Sequence, residues 1–280
     1  MDPRLTPARA DLAAERLRGR VEAPRYAAPV RRRVWAGRLA LRPGPGAADL
    51  SAELLHGTEV DVYDEADGMA WLQSARDGYV GYAPAAGLAA PGAAPTHRVR
   101  APLSLMHPRA ELKTEPAFAL PMNARLAGRI EGDWLVTPEG RGVPAAHLAP
   151  VAEAEPDWVA VAERFLGTPY LWGGHTVLGI DCSGLVQEAL AAAGVAAPRD
   201  SDMQAALGEA ADRDALRRGD LVFWRGHVGI MLDGATLLHA NAHHMAVAAE
   251  PLAEAEARIA ATETGAPTAF RRLARAGGEG

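Results

Sequence analysis

The chain has 280 residues, 49% of them hydrophobic, with a single cysteine and a formal net charge of −6. That composition excludes a disordered chain, an intramolecular disulfide and a multi-cysteine zinc site, and its acidic balance argues against a general nucleic-acid binder. No run of about 18 apolar residues occurs, so no membrane span is expected.

The first 42 residues carry eleven Arg against four acids (Asp2, Asp11, Glu15 and Glu22), a local net of +7 that leaves −13 for the rest. Residues 1–31 are therefore expected to be an arginine-rich arm that wraps around the acidic remainder of its own chain. Leu12, Glu15, Arg16 and Gly19 stand at helical spacing, which predicts a short helix over Asp11–Arg20. An export signal needs a longer apolar core than Leu12-Ala13-Ala14, so a cytoplasmic location is expected.

The middle of the chain writes one pattern twice. Ala70-Trp71-Leu72-Gln73 leads through Asp77-Gly78 to Pro84-Ala85-Ala86-Gly87-Leu88, and Asp133-Trp134-Leu135-Val136 leads through Glu139-Gly140 to Pro144-Ala145-Ala146-His147-Leu148. Alternation at Val60-Asp61-Val62-Tyr63 predicts short strands, and the acid-glycine pairs predict tight turns. Two small β-barrels are expected at 32–91 and 97–151, joined by Pro91-Gly92-Ala93-Ala94-Pro95. The pattern resembles tandem bacterial SH3-like barrels. The copies differ at one position: Tyr82 precedes the first closure where Gly142 precedes the second. Tyr82 is therefore a candidate for a task that the second barrel does not perform.

From residue 158 the texture changes. Trp158, Val161, Ala162 and Phe165 form one apolar helical face, ended by Gly167-Thr168-Pro169. A second helix is expected from Cys182 to Ala193, stopped by Gly194. Cys182 then lies in a first helical turn, where unpaired N–H groups and the helix dipole favour an anion, so its thiol pKa is expected to be lowered. A thiolate nucleophile needs a base, and the base needs an orienting partner. Beyond Cys182, His227 opens the strand pattern His227–Leu232, the Asp233-Gly234 turn follows, and Thr236–Ala240 returns with His239. The two histidines are thus expected on neighbouring strands of a hairpin.

These segments resemble the NlpC-type cysteine peptidases, papain-like enzymes that cut bacterial cell-wall peptides. The likeness rests on Pro169–Gly174, Asp181–Gly184, Pro198–Gln204, Gly219–Trp224, Gly226–Ile230 and Leu238–Ala240, in the family's order over about 100 residues. It implies an α+β papain-like catalytic domain at 152–275, preceded by the two all-β SH3-like barrels. It further implies Cys182 as nucleophile, His227 as general base and acid, and His239 as orienting residue. Tyr170, Trp172, Asp181, Ser183 and Ser201 match pocket-lining positions, and no cofactor is implied. The tandem barrels narrow the resemblance to the gamma-D-glutamyl-L-diamino acid endopeptidases, the dipeptidyl-peptidase-like branch acting on murein-derived peptides in cell-wall peptide recycling. In that branch the first barrel holds the substrate's free N-terminal L-alanine; Tyr82 is the candidate contact and Glu53 a second candidate, for the ammonium group.

Alternatives stay open at this point: a wall-binding hydrolase acting on intact peptidoglycan, or a lipid acyltransferase on the same Cys–His core. Zinc at His239, His243 and His244 is not expected, because the pattern there is a strand and no HExxH occurs.

Overall fold

Strand Glu59–Ala66 shows how barrel one is built. Val60 and Val62 point inward to a core with Val34, Leu41, Leu54, Leu72 and Ala83, while strand alternation sets Tyr63 on the other side, where the pairing register shifts between Val62 and Asp64. In this computed structural model, which describes residues 1–273, the strands run in the order Leu88–Ala89, Val30–Val34, Glu59–Ala66, Met69–Ser74 and Val80–Pro84. The hairpin Arg38–Leu41 with Ala52–Leu55 completes the barrel. The first strand thus begins at Val30, two residues before the expected boundary at 32.

Both barrels close through one device. A 3-10 turn at Ala85–Gly87 in the first and at Ala145–His147 in the second follows a proline and leads into the closing strand. Arg42 and Tyr82 exchange two backbone hydrogen bonds (2.8 and 2.9 Å), as His107 and Gly142 do in the second copy (2.8 and 3.0 Å). Val99, Met106, Leu120, Leu126, Leu135 and Val143 fill the second core. The barrels dock directly: Arg125 N–H donates to the His56 carbonyl (2.9 Å), and the Trp35 and His56 rings pack against Phe118. A Cβ at Gly37 would stand 2.0 Å from the Ala119 carbonyl oxygen, so only glycine permits that approach.

The expected helix over Asp11–Arg20 does not form. The arm is a three-stranded sheet of Ala8–Arg9, Leu12–Ala14 and Arg25–Ala27, with one 3-10 turn at Glu15–Leu17. Its apolar residues Leu12, Ala14 and Leu17 cover Tyr63 and Trp71 on the outer face of barrel one. Burying such side chains is worth about 1.5–3 kcal/mol each, more than the propensity of a three-turn helix supplies. The arm's charge is answered locally: Arg9 pairs with Asp64 and Asp11, and farther along Arg31 pairs with Glu59 and Asp61.

A second compact unit begins at Ala152. The expected domain end at 275 lies outside the described residues. Its helices are α1 (Trp158–Glu163), α2 (Cys182–Ala192), α3 (Ser201–Gln204) and α4 (Leu252–Ala260). Six strands form an antiparallel sheet in the order Glu209–Ala210, Ala269–Arg272, Asp220–Trp224, His227–Met231, Thr236–Asn241 and Ala246–Pro251. Helix α4 lays Leu252, Ala255 and Ile259 on Val222, Trp224, Met231 and Leu237. Helix α2 packs against the His227 and Thr236 strands and is buried along nearly its whole length.

Candidate active site

Asp181 starts the helix that carries Cys182. Its Oδ1 accepts from the Gly184 N–H (2.7 Å), the N-cap bond, and its Oδ2 accepts from the Gly173 N–H (2.8 Å). Arg199, 1% exposed, donates from Nη1 to Oδ1 (3.1 Å) and from Nη2 to Oδ2 (2.6 Å), and also reaches Ser183 Oγ (2.8 Å). Burial pushes the Asp181 carboxyl up, but the Arg199 charge and hydrogen bonds outweigh that and hold it below the ordinary range. Asp181 and Ser183 therefore use their polar atoms to fix the Cys182 turn. Sequence reasoning missed Arg199; a lone arginine inside Pro198–Gln204 gives no sign of where it points.

Cys182 is buried at the first position of α2. The Val228 and Ser183 N–H groups donate toward its sulfur, so the residue next to His227 touches the thiol. The expected lowering of its pKa is reversed: burial, followed by the Asp181 carboxylate, pushes the thiol up to about 12, beyond what the N–H donors and Arg199 recover. Helix-start stabilisation is smaller than the cost of dehydrating a thiolate.

His227 and His239 share one face of the sheet. Met231 pairs with Leu237, and continuing that register sets His239 opposite Gly229, diagonal to His227. His227 Nε2 and His239 Nδ1 stand 2.8 Å apart, and His239 Nε2 stands 2.7 Å from Glu250 Oε1. Arg258 on α4 pairs with the same Glu250 oxygen. His239 is fully enclosed. Burial drives both imidazoles down to about 3; for His227 the neighbouring His239 and Arg258 add to the effect while Glu250 opposes it. Enclosure thus works against the charged form of the thiol and of both imidazoles. Glu250 is a further residue of this array that the sequence did not flag, because its link to His239 depends on the register of the next strand.

The remaining candidates fall in different surroundings. Tyr170 is half-buried, and burial followed by the nearby Cys182 and Asp181 raises its hydroxyl pKa. Trp172 is 67% exposed on the loop before the His175–Ile180 hairpin. Ser201 is buried at the start of α3, where Gln204 donates to the Ser183 carbonyl (2.9 Å). In barrel one, the Tyr82 hydroxyl accepts from Arg9 (3.3 Å), under the arm's cover. The Glu53 side chain is fully enclosed and pairs with Arg38. Of the three histidines weighed for zinc, His244 comes near His239 and Glu250, with ligand atoms within 4.8 Å of one another. Two of those groups already bond each other, and Arg258 sits on the carboxylate, an unfavourable setting for a second cation.

Residues 167–260 match the model of the NlpC/P60 family. The chain carries an NlpC/P60 domain. Residues 41–88 match the bacterial dipeptidyl-peptidase SH3 domain. A gamma-D-glutamyl-L-lysine dipeptidyl-peptidase of Bacillus subtilis is 37% identical over 105 residues, covering 35% of this chain and 34% of that protein. A protein of the same description from Bacillus cereus is 31% identical over 127 residues, covering 42% of this chain and 38% of its own length. The matches thus span only about a third of the length of these curated relatives. The crystal structure of an NlpC/P60 family protein from Bacillus cereus superposes with a TM-score of 0.74 over 87% of this chain and 99% of that one, at 19% identity. That likeness shows the fold: a papain-like NlpC/P60 domain preceded by SH3-type barrels.

Proposed function

We propose that the chain is a cysteine peptidase that hydrolyses the gamma-D-glutamyl–diamino acid bond of murein-derived peptides bearing a free N-terminal L-alanine. The observation that carries this reading is the hydrogen-bonded series His227–His239–Glu250 beside a helix-start cysteine. Its bond to His239 leaves one nitrogen of His227, Nδ1, for the thiol. The Cys182 sulfur attacks the amide carbonyl while its proton passes to His227 Nδ1. The carbonyl electron pair moves onto oxygen, where the Cys182 N–H, which has no acceptor inside its own helix, is a natural donor. His227 then returns the proton to the departing amine. Water, deprotonated by the same imidazole, releases the acyl-enzyme.

The substrate half of the proposal draws on the dipeptidyl-peptidase SH3 match and on the activity that the two Bacillus relatives are named for. Tyr82 and Glu53 are the proposed contacts of the peptide amine, and an ammonium reaching Glu53 must share it with Arg38. Recycling of short wall peptides in the cytoplasm is the setting such a preference fits. Incubation with L-Ala-gamma-D-Glu-diamino acid, its N-acetylated form and intact cell wall, read by mass spectrometry, tests the proposal. Cleavage of the free-amine peptide alone, abolished in Cys182→Ala, is the expected result. Cleavage of intact wall with no preference for the free amine overturns the substrate assignment.

A further inference from the structure

We infer that Glu250, held by Arg258, is a positioning residue that sets which nitrogens of His239 and His227 carry protons and supplies the counter-charge for the His227 imidazolium. The inference rests on the peptidase reading above, and adds a fourth and a fifth residue to its machinery.

The register brings the carboxylate there. His239 pairs with Ala248 and Leu237 with Glu250, so Glu250 lies diagonal to His239 on the same sheet face. The small Ala248 side chain leaves the diagonal open, a reach that long side chains manage across neighbouring strands. Pro251 then turns the chain into α4, which brings Arg258 back onto the Glu250 carboxylate.

The proton positions follow by elimination. A carboxylate paired with a guanidinium is ionised and only accepts, so His239 Nε2 carries the hydrogen in its 2.7 Å contact with Glu250. A neutral imidazole has one donor and one acceptor, which leaves His239 Nδ1 to accept. His227 Nε2 therefore donates across the 2.8 Å contact, and His227 Nδ1 keeps a lone pair for the Cys182 proton. The opposite tautomer of His239 would set a lone pair against a carboxylate and, by donating from Nδ1, would put the His227 proton on Nδ1, leaving no lone pair there for the thiol.

Charge is the second half of the argument. The charged and titratable groups acting on His227 are His239, Arg258, Glu250 and Asp181, with the Cys182 sulfur met by the N–H of the next residue, Val228; those acting on His239 include Arg258, His243, His244 and its bonded partner Glu250. Arg258 opposes a positive imidazole, and burial opposes it more. Glu250 is the anion that bonds to this series directly. When His227 takes the thiol proton, its Nε2–H still donates to His239, and Glu250 stabilises the new charge through one intervening ring.

The test combines variants with a measurement on the unaltered protein. Nitrogen-15 spectra of the wild type should show His239 protonated at Nε2 and His227 at Nε2; either ring in the other tautomer overturns the inference. Glu250→Gln keeps an acceptor and removes the charge. It should lower kcat about ten- to hundredfold, the worth of one charge-assisted hydrogen bond, with KM nearly unchanged. It should also slow iodoacetamide capture of Cys182 at neutral pH, a readout independent of substrate. Glu250→Gln/Arg258→Gln should recover part of both losses, because the unpaired guanidinium is gone; a merely structural ion pair would give no recovery. Wild-type kcat and capture rate in a folded Glu250→Gln variant overturn the inference while leaving the peptidase reading intact. Slowed capture in Glu250→Gln, from a wild type that hydrolyses no murein peptide, supports the positioning role and removes the peptidase reading.

Discussion

Arg199 and Asp181 form an enclosed ion pair, joined by bonds of 3.1 and 2.6 Å, at the foot of the helix that carries Cys182. Asp181 caps that helix and holds the loop at Gly173, so one carboxylate ties three segments together. Arg199→Met should leave this buried anion unpaired and lower unfolding stability by about 3–5 kcal/mol. Arg199→Lys should recover only part, since an ammonium cannot reproduce the two parallel bonds. Urea unfolding reads both, and an unchanged midpoint in Arg199→Met would show that the pair contributes nothing.

That clamp marks where the sequence stops being informative. Short-range signals were readable: a helix opening at Cys182, the repeated Pro-Ala-Ala closures, and His227 and His239 on adjoining strands of a hairpin. Each depends on neighbours a few residues apart. Arg199, Glu250 and Arg258 depend on which distant elements meet, and no local pattern encodes that. The arm misled for a related reason. Leu12, Glu15, Arg16 and Gly19 suit a helix in isolation, but burial against Tyr63 and Trp71 decides for strands. The Cys182 pKa turned on enclosure, which sequence position alone does not reveal.

Hydrolysis should rank the variants by role. Cys182→Ala should abolish turnover of the free-amine peptide, and His227→Ala should match it, because nucleophile and base act as a unit. His239→Ala should be milder, since His239 orients the base and moves no proton to or from the substrate. Single-turnover rates measure the ranking. Full activity in His227→Ala would remove it as the base, and loss in His243→Ala or His244→Ala with His239→Ala unaffected would move the orienting role away from His239.

Stability should fall in mild acid. The folded-state pKa of His239 is about 3, below its unfolded value near 6.5, so the unfolded chain binds the extra proton first. The stabilisation is complete above about pH 6.5 and is lost as pH falls toward 3, at up to about 1.4 kcal/mol per pH unit for one such group. Urea midpoints at pH 7.5, 6 and 5 should therefore decrease in the wild type. The decrease should be shallower in His239→Gln. A wild-type midpoint that is flat or rises over this range would mean that His239 is charged in the folded protein.

The contrast between Tyr82 and Gly142 has a steric reason on one side and a packing reason on the other. A Cβ at Gly142 would stand 2.6 Å from the Ala110 backbone, because the segment at Arg109–Ala110 crosses directly over it. At the matching position in barrel one the space is taken by the arm, and Tyr82 packs beneath it with its hydroxyl bonded to Arg9, whose guanidinium also covers Trp71 at 4.7 Å from the ring centroid. Gly142→Ala should therefore destabilise the protein by about 1–3 kcal/mol through overpacking against backbone that cannot yield. Tyr82→Phe should cost only about 0.5–1.5 kcal/mol, the worth of its one hydrogen bond. Tyr82→Ala should cost more and make the arm a substrate for limited proteolysis near Arg9. The proposed amine contact predicts a separate effect: Tyr82→Phe should raise KM for free-amine peptides about three- to hundredfold with kcat little changed, and barely alter N-acetylated ones. Loss of arm protection in Tyr82→Ala together with a wild-type KM in Tyr82→Phe would make Tyr82 a packing residue of the first barrel and leave the peptide amine to other groups.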